Sequence, residues 1–212
     1  MASVAFDVFL PDVLLEAAGV PSPVAINAIR NACFDFCRDS LWLTTLSDPA
    51  TYSPDVQDYD LEPPSGTKVV GVLSVTLDSN QTIFPWSMEE TVAARPNWQT
   101  ATGLIEGFVQ KTPGSISMVQ IPSKTGTFVA SLAVAPTRSA TSIDDRIYDY
   151  HLESIKYGAL WKLKSMINQA WSDPAGASLY EQRFLMMVNQ ATTERLRSNS
   201  RASMRVAPRA FI

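Results

Sequence analysis

DDRIYDYHLESIKYGALWKLKSMI, residues 144–167, contains the pattern that decides the fold of this chain. Its apolar residues recur at intervals of four and three, which places them on one face of a helix. Asp144 and Asp145 stand at the start, where the positive end of the helix dipole favours acidic side chains. The stretch therefore predicts a long amphipathic helix. Its apolar face consists of Tyr148, Leu152, Ile155, Ala159, Leu163 and Met166.

Helices are also predicted on both sides of this one. Near the start of the chain, LPDVLLEAAGVPSP predicts a short helix that Gly19 ends. Ser22 and Pro23 then suit the N-cap and first helical position of an amphipathic helix, AINAIRNACFDFCRDSLW, which ends before residues 48–49. Downstream, the turn QAWSDPAG separates the long helix from a last one. The apolar face of that last helix carries Tyr180, Phe184, Met187 and Ala191.

The middle of the chain has a different character. Residues 49–140 hold nine of the fourteen prolines and six of the nine glycines, and these bound several β-rich runs. KVVGVLSVTL (68–77) and TIFPW (82–86) form a predicted hairpin, with a turn at residues 78–80. Ser87 and Glu90 have the spacing of a capping box, which predicts a short helix. Further strands are predicted within LIEGFVQ (104–110), SISMVQI (115–121) and TFVASLAVA (127–135).

The order of these elements predicts an α+β protein. We expect residues 1–48 and 141–197 to form a helical bundle. Residues 49–140 would form a small antiparallel β-sandwich or barrel inserted between the two halves of the bundle. Residues 198–212 would form an extended C-terminal arm, because Pro208 resists helix formation.

Charge is distributed unevenly along the chain. Residues 195–212 contain five arginines and no acid, so residues 1–194 carry a net charge of −9 within a total of −4. An acidic body of this kind repels a phosphate backbone, which disfavours conventional nucleic-acid binding by the body. The basic segment alone could bind nucleic acid or dock on an acidic protein surface.

No pattern in the sequence predicts an enzyme, a cofactor or a metal site. His151 is the single histidine and has no evident partner, so we interpret it as a packed or half-exposed residue. Cys33 and Cys37 supply at most two of the four ligands of a structural zinc site and are interpreted as small buried hydrophobes. The apolar runs are too short to span a bilayer, and the first residues lack the pattern of a signal peptide.

Several short segments, taken in order, resemble a known family. They are LPDVLLEAAGVPSPVAINAIRNACFDFCRDSLW (10–42), YDLEPP (59–64), VVGV (69–72), PNW (96–98) with Thr102-Gly103, IYDYHLESIKYGALWKLKSM (147–166), and WSDP (171–174) before the helix with Tyr180 and Phe184. Together they resemble the head-to-tail adaptor, or connector, proteins of tailed bacteriophages. The resemblance extends over most of the chain.

This resemblance implies a structural virion protein that is not an enzyme. Members of the family form a ring, usually of twelve subunits, beneath the portal protein of the capsid. We therefore expect a homo-oligomer in the neck of the virion, assembled in the host cytoplasm. It would contact the portal protein and a downstream tail or nozzle protein. Genomic DNA would pass through its channel during ejection without specific binding.

The resemblance also suggests which residues would serve these contacts. The C-terminal arm would reach the portal, with apolar side chains entering pockets and arginines pairing with acids. The arm residues are Arg201, Met204, Arg205, Val206, Pro208, Arg209, Phe211 and Ile212. Asp144, Asp145 and Asp149 are candidates for acids that face the DNA channel. An ordinary solvated chain end and ordinary solvated helix faces are the alternatives.

Two other functions fit the sequence. A tail-completion or tail-tube terminator protein would also form a ring, without inserting an arm into the portal. A ligand-binding or carbohydrate-binding β-module, or an enzyme with an unrecognised site, belongs to a different class. An enzyme would have a deep polar pocket with titratable groups of shifted pKa in the monomer, whereas a ring subunit would expose apolar patches when taken alone.

Overall fold

The computed structural model describes residues 2–78 and 80–197. A 3₁₀ turn, Phe6–Phe9, leads into the first of five helices: α1 (Leu10–Leu14), α2 (Ser22–Ser40), α3 (Met88–Ala94), α4 (Asp145–Lys164) and α5 (Pro174–Leu196). The strands are β1 (Ser3–Ala5), β2 (Thr44–Leu46), β3 (Ala50–Tyr52), β4 (Asp58–Asp60), β5 (Thr67–Leu77), β6 (Gln81–Ile83), β7 (Thr102–Gly103), β8 (Phe108–Thr112), β9 (Ser115–Met118), β10 (Ile121–Pro122), β11 (Gly126–Pro136) and β12 (Ser142–Asp144).

The predicted α+β class is confirmed. The largest sheet has the order β2-β11-β5-β6, and β3 also pairs with β11. A second sheet contains β4, β9 and β8, while β1 pairs with β12 and β7 with β10. Within the described residues these sheets are open and none closes into a barrel, so of the two forms predicted for residues 49–140 the barrel is wrong.

The elements that depend on local signals form as predicted. β5 and β6 make the expected hairpin, with Val75 opposite Ile83. Ser87 and Glu90 form a reciprocal capping box at the start of α3, where each side chain accepts a hydrogen bond from the other residue's backbone N–H. α4 begins after Asp144, whose side chain caps it.

The region after α2 differs from the prediction. Leu41 adopts a left-handed backbone conformation with φ of 52°, and its N–H bonds to the carbonyl of Cys37. This conformation ends the helix at Ser40, before Trp42, and turns the chain back toward the sheet. β2 and β3 then pair with β11, which lies more than 70 residues further along the sequence.

One hydrophobic core joins the helices to the largest sheet. α2 packs against α4 on one side and against β11 on the other, while α4 also packs against α5. Phe36 of α2, Phe128 of β11 and Phe184 of α5 are each at most 1% exposed and belong to the same cluster. The sheet and the helices are therefore stabilised together. The predicted division into bundle and insertion remains a prediction.

Gly158 lies where three helices meet. A Cβ atom at this position would lie 2.8 Å from the Phe184 ring and 3.0 Å from the Cβ of Ala32. Both distances are shorter than ordinary van der Waals contact, and the neighbouring atoms are in the core. A glycine is therefore needed at this point of α4 for α2 and α5 to approach it so closely.

We expect Gly158→Ala to lower the free energy of unfolding by about 1–3 kcal/mol, as overpacking of a core does, although alanine favours a helix by roughly 1 kcal/mol. Chemical denaturation measures this difference. Gly114→Ala is the control, because an added Cβ there meets no atom within 4 Å. An unchanged or increased stability of Gly158→Ala would contradict the proposed packing.

Candidate functional site

A cleft of about 1080 Å³ opens between the first half of α4 and the second half of α5. Residues 149–154 form one wall. Side chains of α5 between residues 187 and 194 form the opposite wall, with Arg197 just beyond the end of the helix. Trp42 and Thr44, which follow α2, contribute the remaining side. The cleft therefore depends on three segments that are distant in sequence.

The position of Trp42 follows from how α2 ends. The buried hydroxyl of Ser40 donates to the carbonyl of Phe36 at 2.7 Å and accepts from the Trp42 backbone N–H at 3.2 Å. Arg195 of α5 donates to the Ser40 carbonyl at 3.2 Å, which places a cation at the negative end of α2. These bonds hold the segment after α2 against the C-terminal end of α5.

His151 interrupts the regular geometry of α4. Its φ of −132° and ψ of 21° are not helical, so the helix is kinked inside the cleft wall. The imidazole packs against the rings of Phe36 and Trp42, with centroids 4.7 and 4.3 Å away. The residue is only 8% exposed. It lies packed among aromatic rings at the base of the cleft.

Two polar atoms at the base of the cleft are buried without a hydrogen bond. Neither Nε2 of His151 nor Nε1 of Trp42 has a partner among the described residues. Burial lowers the pKa of His151 below its ordinary value of 6.5, and the nearby charge of Glu194 acts in the opposite direction. The folded protein therefore favours the neutral imidazole.

The three predicted channel acids have different environments. The Asp144 carboxylate caps α4 and pairs with Arg146 at 2.7 Å, and its side chain is 8% exposed. Asp145 is partly exposed in the first turn of α4, and Asp149 is exposed at the cleft. The structure does not bring the three together in one site. Their role in a DNA channel remains a prediction.

The other candidate residues divide into two groups. The predicted arm residues, from Arg201 to Ile212, lie outside the described residues. Cys33 and Cys37 are fully buried on α2, where burial raises the pKa of both thiols and keeps them protonated. Across residues 2–78 and 80–197, no three His, Cys, Asp or Glu side chains are grouped so that they could hold a metal ion.

A second surface lies on the outer side of α5. Its inner side buries Ala177, Phe184, Val188 and Ala191 in the core. On the opposite side, Leu179 and Met186 are 49% and 62% exposed, and on the flank beside them Leu185 and Leu196 are 47% and 57% exposed. We call these four side chains the α5 outer face. The helix thus carries apolar residues on opposite sides, although the sequence indicated only one apolar side.

The comparisons with known proteins do not identify a family. The sequence matches no model of a protein family and none of the curated proteins with which it was compared. In the described part of the chain, no helix is both long enough and apolar enough to cross a membrane. Inferences about function therefore depend on the cleft, the α5 outer face and the resemblance in the sequence.

The lowered pKa of His151 predicts a specific pH dependence. As the pH falls below 6.5, the unfolded state binds a proton before the folded state does, so the free energy of unfolding decreases. We expect His151→Leu to remove this part of the pH dependence. The slopes of the unfolding free energy against pH should differ between the two proteins below pH 6.5 and become equal above it. Urea denaturation at a series of pH values measures these slopes. Carboxylates that do not interact with His151 titrate alike in both proteins and cancel in this comparison. Identical slopes of the unfolding free energy against pH would refute the prediction.

Proposed function

We propose that this chain is a structural subunit of a tailed-bacteriophage neck. Copies of it form the head-to-tail adaptor ring that docks beneath the portal and surrounds part of the DNA ejection channel. The α5 outer face is the observation that carries this proposal. The resemblance of the sequence to connector proteins supplies the type of ring and its usual twelve subunits.

The geometry of α5 supports a protein partner for its outer side. Successive residues of a helix are about 100° apart, so Leu179 and Met186 share one line along the helix, roughly opposite the buried residues Phe184 and Val188. Leu185 and Leu196 share a second line, about 100° to one side of the first. Scattered apolar residues are normal on a protein surface, but exposed apolar residues along a line opposite a buried face, such as Leu179 and Met186, are typical of an interaction site. A second copy of the same chain is the partner that a closed ring requires.

The charge of the chain is consistent with a DNA conduit. Residues 1–194 carry a net charge of −9. DNA passing an acidic wall is repelled instead of held, which suits a channel through which the genome must move. Asp149 is exposed and could contribute to such a wall. No specific contact with bases or phosphates is needed for this function.

The attachment to the portal is the part of the proposal that depends most on the resemblance. The arm residues Arg201, Arg205 and Arg209 alternate with apolar side chains, so the arm could combine ion pairs with pocket filling. A ring presents many identical arms, and binding of one raises the effective concentration of the next. Weak individual contacts can therefore hold the ring in place.

Two matched substitutions test the α5 outer face. Met186 and Phe84 are both 62% exposed, but only Met186 lies on α5. We expect Met186→Glu to prevent assembly of the full chain, alone or with the portal protein of the same virus, because a charge would be buried between subunits. Phe84→Glu should assemble as the unaltered chain does. Light scattering measures the masses.

Three results distinguish the possibilities. Assembly of Met186→Glu equal to that of the unaltered chain would contradict an interface on α5. A ring that forms but does not bind the portal would favour the tail-completion function. A monomer that neither self-associates nor binds the portal would exclude the ring altogether. Thermal unfolding of each variant separates loss of assembly from loss of folding.

A further inference from the structure

The cleft between α4 and α5 is lined at one end by Arg197, the last described residue before the basic C-terminal segment of the chain. We propose that this cleft binds residues 198–212 of the same molecule. This docking is a property of a single subunit, so it holds or fails independently of the ring. It also gives a function to the cleft itself, which the adaptor role does not require.

The connection to the cleft is direct. Arg197 is the last described residue and lines the cleft, so the segment that follows is covalently attached at the cleft wall. The α5 wall between residues 187 and 197 rises by about 15 Å. Five or six extended residues span roughly 17–20 Å. About six residues are therefore enough to follow this wall, and the fifteen residues of the segment 198–212 are long enough to place several of its side chains in the cleft.

The charges of the cleft and of residues 198–212 are complementary. Asp149 and Glu153 are exposed at the cleft, and Glu194 stands on the opposite wall. The basic side chains of the lining are Arg146, which pairs with Asp144, and Arg197. The segment supplies three arginines, Arg201, Arg205 and Arg209, and no acid. Each exposed ion pair contributes little binding free energy, but several carboxylates together favour a segment whose charges are all positive.

The apolar surfaces also correspond. Tyr150 is 72% exposed beside Trp42, with ring centroids 6.2 Å apart, and Leu152 and Met187 extend the apolar lining. The segment carries Met204 and Val206 between its arginines, and Phe211 and Ile212 after the last of them. The volume of about 1080 Å³ is at the upper end for small-molecule sites. It has room for several side chains of a peptide.

The tether favours the segment of the same chain over that of another copy. A short covalent connection gives an effective concentration in the millimolar range, well above the concentration of free subunits in a dilute solution. Ordering the segment costs about 1–2 kcal/mol per residue, so the docking is expected to be reversible. A partner that takes up the segment would have to displace it from the cleft.

Disulfide formation in the full chain tests the docking. Gln190 lines the cleft, whereas Asn189 is its exposed neighbour and does not. Ser203→Cys is combined with Gln190→Cys in one protein and with Asn189→Cys in the matched control. Each is equilibrated with glutathione to obtain the effective concentration of the two thiols. The native Cys33 and Cys37 are buried and protonated, so they do not compete.

We expect the effective concentration to be several times higher for the pair with position 190 than for the pair with position 189, and the products to be monomers. Replacing the cleft acids (Asp149→Asn, Glu153→Gln, Glu194→Gln) should lower the first value several times. Replacing three exposed acids elsewhere (Asp55→Asn, Glu62→Gln, Glu89→Gln) should leave it unchanged. Equal values for positions 190 and 189 would overturn the proposal, and so would products that are mainly disulfide-linked dimers.

Discussion

The contact of α2, α4 and α5 at Gly158 is the constraint on which the arrangement of the molecule depends. The missing side chain lets the Phe184 ring and Ala32 approach the α4 backbone. α2 is thereby held between α4 and β11, so the helices and the largest sheet share one core. Lys162 of α4 adds an ion pair to Asp35 of α2 at 2.5 Å on the edge of the same contact.

This packing also determines both candidate functional surfaces. α5 is fixed with Phe184 and Val188 inward, which leaves Leu179 and Met186 on its outer face. At its C-terminal end, Arg195 holds the carbonyl of Ser40 and so brings Trp42 to the cleft. The kink at His151 shapes the facing wall of α4. The proposed oligomer interface and the cleft thus occupy different parts of one helix pair.

The parts of this fold that are determined by neighbouring residues could be predicted from the sequence. The capping box of Ser87 and Glu90 and the β5–β6 hairpin each depend on contacts within a few residues. The apolar period of α4 likewise reflects one helix face. These features have signals that do not require knowledge of the rest of the chain.

The remaining features depend on contacts that are distant in sequence. The left-handed conformation of Leu41 and the pairing of β2 with β11 follow from the packing of α2 on the sheet. The cleft was not predicted, because Trp42, His151 and Glu194 come together only through the three-helix contact. Tyr150 was one weak sign of the cleft in the sequence, because it is an aromatic residue that lies outside the apolar face of α4. Gly158 was a sign of the three-helix contact, because a glycine inside a helix often marks a point where another element approaches closely.

The most direct test of the proposed function is electron cryo-microscopy of the full chain bound to the portal protein of the same virus. The proposal predicts a closed ring beneath the portal in which Leu179 and Met186 of each subunit are covered by the next subunit. A map in which α5 faces solvent or the DNA channel, or in which single subunits bind without contacting one another, would contradict it.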